Sequence, residues 1–225
     1  MHNHLNDKGE LNSGTIKEIS LRYRGRWLQG YVRGKLRSDP VYLETIGVVG
    51  AFPAPVLDIG CGPGLLAHCL NACGVDVPYT GLDADSRKIS SAKESIRELA
   101  SVRFEHADCL LLPDWQGHVA LLDVLHYLDA ETQMRLLDEA IPRIAPGASL
   151  IIRTVLRDRS WRFRATQAEE LFIRGSRWIR GGVKHYPRAE ELLSPLRDAG
   201  LSVAMPSLFG HTPFNSFLVR ATRLP

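Results

Sequence analysis

The sequence predicts an α/β fold built on a parallel sheet with helices on both faces, and three observations point there. From Pro55 onward, short continuous apolar runs alternate with stretches of helical periodicity, the pattern of strands buried on both sides. A turn with glycine at alternate positions, Gly60, Gly62 and Gly64, joins the first apolar run to the first of those helices. The 225 residues, 44% hydrophobic and 24% charged, supply one sizeable core, whereas two full domains would be a tight fit.

The elements follow in order. Met1 to Gly14 (MHNHLNDKGELNSG) is polar and reads as a disordered tail. Ile19 to Leu36 reads as one basic amphipathic helix, with Trp27, Leu28, Tyr31 and Val32 recurring at i, i+4 spacing. Gly25, Gly30 and Gly34 each lower its helicity by up to ~1 kcal/mol relative to alanine, so it needs packing against the body to form. Pro40 ends it, and a short helix from Val41 to Val49 leads to the core. Then come a strand at Val56–Ile59, a helix at Leu65–Cys73, a strand at Tyr79–Leu82, a helix at Ser86–Ala100 and a strand at Val102–His106. A strand at Val119–Val124, a helix at Ala130–Ile144 and a strand at Ser149–Val155 follow, the last two joined through the turn APGA. Arg164–Arg174 and Arg188–Ala199 read as helices, the second stopped by Gly200. Leu201–Leu208 and Ser216–Ala221 read as two final strands, joined through GHTPFN, a loop short enough for a hairpin.

Several function classes are set aside by composition. No segment offers the roughly 18 uninterrupted apolar residues of a membrane span, and the polar start lacks the basic beginning and apolar centre of a signal peptide. A soluble cytoplasmic protein is the expectation. Cys61, Cys69, Cys73 and Cys109 lack the paired spacing of a zinc site or a disulfide framework, so they read as reduced thiols and no metal is expected. The net charge of +3 is unevenly spread. Lys17 to Arg37 has seven basic residues against Glu18 alone, and Arg153 to Arg188 has ten against three acidic, so the two hold 17 of the 28 Lys and Arg. The molecule is expected to have a basic side and an acidic side.

The glycine turn follows a strand and opens a helix, where backbone N–H groups and the helix dipole can face a ligand. Leu65 and Leu66 stand where a dinucleotide fingerprint wants its last glycine, which weakens a pyrophosphate reading. A phosphate-binding P-loop is excluded, since no Gly-Lys-Ser/Thr follows. The stretch DIGCGPG, with GLDAD at the end of the next strand, resembles the class I S-adenosylmethionine-dependent methyltransferases. HADCLLLP, LLDVLHYL and IAPGASLII extend the resemblance over roughly residues 50 to 221. It implies a Rossmann-like seven-stranded, mostly parallel sheet with helices on both faces, the last strand antiparallel, and a helical N-terminal lid. On that reading residues 1–14 are tail, 15–50 a basic lid and 51–225 the methyltransferase domain.

The resemblance also implies site roles, with S-adenosylmethionine as cofactor. Asp58 helps hold the amino group of the methionine end, and Gly60, Gly62 and Gly64 form the turn that lets backbone approach it. Asp83 binds the ribose hydroxyls, a task suited to a carboxylate because it accepts two hydrogen bonds at once. Ala84 lies beside it, Asp108 and Cys109 fall where the adenine amino group is contacted, and Asp123, in the fourth-strand motif, completes the cofactor-binding set.

The acceptor is less legible. LDVLHYL replaces the (Asn/Asp)-Pro-Pro-(Tyr/Phe) sequence of the enzymes that methylate the amino groups of adenine, cytosine or glutamine, so a small-molecule or carrier-bound acceptor is favoured. His126 and Tyr127, just past the fourth strand, are the candidate proton-moving residues, with His185 and His211 in later loops as further candidates. Trp161, Phe163, Phe172 and Trp178 are candidates for lining an aromatic acceptor pocket, or are simply core. YVRGKLRSDPVY, DVLHYL, SWRFRATQAEELF and TPFNSFLV resemble methyltransferases of aryl polyene or xanthomonadin-type pigment biosynthesis, which implies an aryl head group as acceptor. The basic segments suit an acidic acyl carrier protein or a peripheral contact with an anionic lipid surface. An RNA methyltransferase and a non-catalytic cofactor-binding scaffold are the alternatives, and no nucleic-acid module accompanies the basic stretches.

Overall fold

The computed structural model of the chain describes residues 4–5, 11–96, 99–173, 182–209 and 215–225, with side chains of 168–173 excepted. Trp178, His211 and the Phe172 side chain, all candidates above, lie outside the described residues, as do residues 210–214. The chain divides into two compact units, Met1–Leu111 and Leu112–Pro225.

The first unit opens with two helices in place of the single one expected. Helix α1 (Ser13–Leu21) is capped by Asn12, whose side-chain oxygen accepts from the Thr15 N–H at 2.8 Å. Leu11 is buried, so the expected tail ends before Gly14. Helix α2 (Arg26–Ser38) begins after Gly25, whose φ of 87° places it in a region that side chains avoid and breaks the expected helix. Gly30 and Gly34 stay helical, and Leu28, Val32 and Leu36 form the buried stripe of α2. Arg33 Nε donates to Ser20 Oγ at 2.8 Å and ties α2 to α1. Helix α3 (Val41–Ala51) starts after Pro40, which lacks the N–H that a helix start leaves unpaired anyway.

Three parallel strands follow, β1 (Val56–Ile59), β2 (Tyr79–Asp83) and β3 (Val102–His106), in the order β3-β2-β1. Asp58 pairs in register with Gly81, and Gly81 with Phe104. Helix α4 (Leu65–Ala72) links β1 to β2, and helix α5 (Ser86–Ser95) links β2 to β3. The expected run of α5 to Ala100 stops at Ser95, and Asp85 caps its start by accepting from the Arg87 N–H.

In the second unit β4 (His118–Leu122) lies parallel to β5 (Ser149–Val155), β7 (Ser216–Thr222) runs antiparallel to β5, and β6 (Ser202–Ala204) pairs antiparallel with β7. The order is β4-β5-β7-β6, so β7 is the reversed strand the resemblance implied. β4 starts one residue early because His118 is fully buried, its Nδ1 accepting from the Ser149 N–H at 3.1 Å. It ends at Leu122 because Asp123 is left-handed, with φ 63°. Helix α6 (Ala130–Ala140) passes into a tighter turn at Ile141–Arg143, where Pro142 cannot donate to the helical ladder. Helices α7 (Trp161–Ile173) and α8 (Ala189–Asp198) complete the unit, and β6 is shorter than the expected Leu201–Leu208. No helix among the described residues is long and apolar enough to cross a membrane.

Candidate functional site

The first unit concentrates its chemistry at the carboxyl ends of β1 and β2. Asp58 is buried in β1, and Tyr79, which pairs with Val56 and so shares its face, donates its hydroxyl to Asp58 Oδ2 at 2.5 Å. Oδ1 of the same carboxylate is buried with no hydrogen-bond partner among the described residues. Burial raises the Asp58 pKa to about 7, against the Tyr79 hydrogen bond that lowers it and with a smaller upward push from Asp83. A buried acceptor of this kind is matched by an approaching cation that donates hydrogen bonds.

The glycine turn passes directly beyond Asp58. Gly60, Gly62 and Gly64 all have positive φ, at 76°, 56° and 82°. The N–H groups of Gly60 and Cys61 donate to the Leu82 carbonyl at 2.7 and 2.9 Å, anchoring the turn to β2. The two later glycines are required for different reasons. A Cβ on Gly64 would stand 2.6 Å from Phe104 Cζ, whereas a Cβ on Gly62 meets nothing within 4 Å. Gly64 is a packing position, and Gly62 faces open space that a ligand can enter close to the backbone.

Asp83 ends β2 nearly buried, and its carboxylate ties the turn together. Oδ2 accepts from the Gly62 N–H at 2.9 Å and Oδ1 from the Asp85 N–H at 2.8 Å. Each oxygen keeps a lone pair for a hydroxyl donor. Ala84 is exposed beside it, its carbonyl accepting from His106 Nε2 at 3.1 Å. Asp108 is exposed past β3, with Oδ1 accepting from the Leu110 N–H at 2.9 Å, and Cys109 is half-buried next to it.

The second unit gathers the remaining candidates after β4. Asp123 Oδ1 accepts from Arg153 Nη1, and Arg153 Nη2 donates to Ser216 Oγ at 3.0 Å. His126 and Tyr127 sit in the single tight turn Leu125–Tyr127, their rings 4.1 Å apart, with His126 5% exposed. The Tyr186 ring lies 6.2 Å from His126, and Phe163 meets Tyr186 edge-on at 5.2 Å. Buried Gln133 on α6 holds this turn, its Nε2 reaching the carbonyls of Leu125, Leu128 and His185 at 2.8, 3.1 and 3.0 Å.

His185 has a different environment from His126. Its Nε2 donates to Glu191 Oε2 at 3.1 Å, which also accepts from the Arg188 N–H at 2.9 Å. The Arg188 hydrogen bond is the main cause holding Glu191 below the usual carboxylate range. This arrangement stabilises the start of α8. Trp161 is 64% exposed with the Arg162 guanidinium over its ring, so it is not core. Among the described residues no group of three or more His, Cys, Asp or Glu is placed to hold a metal ion.

Tyr79, Gln133 and Arg153 were not legible as site residues. Only the strand register puts Tyr79 beside Asp58, and the other two act across long stretches of sequence.

Residues 56–147 match a family model described as "Methyltransferase domain". A ribosomal protein L11 methyltransferase of Geotalea uraniireducens is 29% identical over 64% of this chain and 40% of its own length. A ubiquinone biosynthesis O-methyltransferase of Psychrobacter cryohalolentis is 26% identical over 69% of this chain and 61% of its own. The chain thus spans less than two thirds of the length of these relatives. Among solved structures, the magnesium protoporphyrin IX methyltransferase of Synechocystis with bound SAH aligns over 94% of this chain and 95% of its own, with TM-score 0.64 at 18% identity. Human N-acetylserotonin methyltransferase in complex with SAM aligns over 92% of this chain and 56% of its own, with TM-score 0.63 at 19% identity. Residues 56–147 therefore match the methyltransferase domain, and the chain has the seven-stranded, mostly parallel, Rossmann-like fold of the S-adenosylmethionine-dependent methyltransferases.

Proposed function

We propose that this chain transfers a methyl group from S-adenosylmethionine to a small, aromatic acceptor. The single observation that carries the donor half of this reading is the unpaired, buried Oδ1 of Asp58 below a glycine turn that is open at Gly62. A buried carboxylate oxygen without a donor is matched by the ammonium of the methionine end, and the bare turn admits the rest of that moiety. Asp83 would take the ribose hydroxyls on its remaining lone pairs, and Ala84, Asp108 and Cys109 would border the adenine. When bound, S-adenosylmethionine supplies a sulfonium-activated methyl carbon.

On the acceptor side, His126 would receive the proton of a hydroxyl acceptor, with Tyr127 beside it orienting the substrate and Asp123 closing the end of β4. The neighbouring rings of Tyr127, Tyr186 and Phe163 favour a flat, apolar acceptor. Three of the names above favour a small acceptor, since they refer to ubiquinone biosynthesis, magnesium protoporphyrin IX and N-acetylserotonin, whereas the fourth refers to a ribosomal protein. An aryl polyene-type head group, free or tethered to an acidic acyl carrier protein attracted by the basic segments, is the substrate to try first. The N-terminal helices would serve as the lid.

Two experiments test the reading. Calorimetry is expected to show binding of S-adenosylmethionine, with Asp83→Ala costing about 1.5 to 3 kcal/mol of affinity; binding of NAD in its place would overturn the donor. Labelled cofactor is expected to mark carrier-bound hydroxyaryl substrates, and label entering only total RNA would overturn the acceptor class.

A further inference from the structure

Tyr23, in the break between α1 and α2, reaches the glycine turn from 40 positions away. Its hydroxyl donates to the Pro63 carbonyl at 2.9 Å, and it is 3% exposed. Its ring meets His68 of α4 edge-on at 5.4 Å, and His68 Nε2 is in turn hydrogen-bonded to Ser95 Oγ at 2.9 Å. Burial pushes the Tyr23 hydroxyl well above its ordinary range and His68 down to about 3, so both stay neutral and the contact persists at any working pH.

The Pro63–Gly64 peptide that Tyr23 grips is the one that opens α4. Its other end is held as well, by the Gly64 N–H donating to the Cys61 carbonyl at 3.1 Å. The residues around it, Gly62 and Gly64, are the ones for which a peptide flip is cheap, because glycine populates both signs of φ. In the arrangement that this contact holds, the Gly62 N–H donates to Asp83 and Gly62 is open to a ligand.

We infer that Tyr23 is a positioning residue for the cofactor: its hydroxyl selects the single arrangement of the glycine turn that binds, so the N-terminal helices are part of the donor site rather than only a cover. A turn populated in one state binds without first being ordered, and losing that preorganisation raises the dissociation constant. The inference deepens the donor reading above and rests on it.

The test compares Tyr23→Phe, which keeps the ring and loses only the hydroxyl, with Arg33→Ala, which cuts the α1–α2 tie to Ser20 and leaves the turn untouched. Amide hydrogen exchange on the free protein is expected to speed up at residues 60–66 in Tyr23→Phe and to stay at the wild-type rate there in Arg33→Ala. Calorimetry with S-adenosylmethionine is expected to show a dissociation constant about tenfold higher for Tyr23→Phe, the size of one lost buried hydrogen bond, and unchanged for Arg33→Ala. Wild-type exchange at the turn in Tyr23→Phe overturns the inference, as does an affinity loss that follows thermal stability equally in both variants. Faster exchange in Tyr23→Phe, in a protein that binds no S-adenosylmethionine at all, upholds the tether and overturns the donor reading instead.

Discussion

Asp58 carries the most consequential single charge in the first unit. Its pKa of about 7 lies above the value near 3.8 of an unfolded aspartate, because burial disfavours the anion. A raised carboxyl contributes stability that is complete below the unfolded pKa and is lost as pH rises through the folded one. The free protein therefore loses this contribution between about pH 4 and 7, while a cationic ligand favours the anion. S-adenosylmethionine binding is expected to tighten from about pH 5.5 to 7.5 and to release a proton near pH 6, with Asp58→Asn abolishing both effects. Calorimetry in two buffers of different ionisation enthalpy measures the proton directly, and pH-independent binding by the wild type would show that Asp58 does not face the ligand's charge. Asp58, Gly60, Gly62, Gly64 and Asp83 were legible because they lie in two short stretches at strand ends. Tyr79 was not, because nothing local marks the Val56–Tyr79 register that sets it on the face of Asp58.

Elements were legible wherever a local pattern decided them and misread where a long-range contact did. Gly25, Gly30 and Gly34 carry the same intrinsic penalty, yet only Gly25 leaves the helix, next to Tyr23 and its anchor at Pro63. The Leu125–Tyr127 turn is a second case, since its shape rests on a side chain from the following helix. Three carbonyls, of Leu125, Leu128 and His185, converge on the two amide hydrogens of Gln133. Gln133→Met keeps the volume and leaves those acceptors without this donor, so it is expected to cost about 1 to 3 kcal/mol of stability by denaturant titration. If His126 moves the acceptor's proton, turnover should fall further than S-adenosylmethionine affinity, which is expected to be unchanged; a variant with normal turnover would detach this turn from the chemistry.

Across the whole chain, the α/β alternation and the reversed last strand were readable from apolar runs and the family resemblance, while strand ends were not. Apolar runs say that a strand is buried without saying where it stops. β5 is buried along almost all of its length, with Arg153 its one charged residue. In register Arg153 faces Leu122 on one neighbour and Leu218 on the other, and its guanidinium joins Asp123, past the end of β4, to Ser216, the first residue of β7. Arg153→Met alone is expected to lower stability by about 1 to 3 kcal/mol by denaturant titration, since it strips the part-buried Asp123 of its cation. Pairing it with Asp123→Asn, a residue that accepts the left-handed backbone, is expected to recover most of that loss. A single-residue slip between greasy strands costs little in buried area but would turn every side chain to the opposite face. The arginine makes such a slip recognisable to the folding chain: it is a notch cut into otherwise interchangeable planks, and only one alignment lets the peg go in.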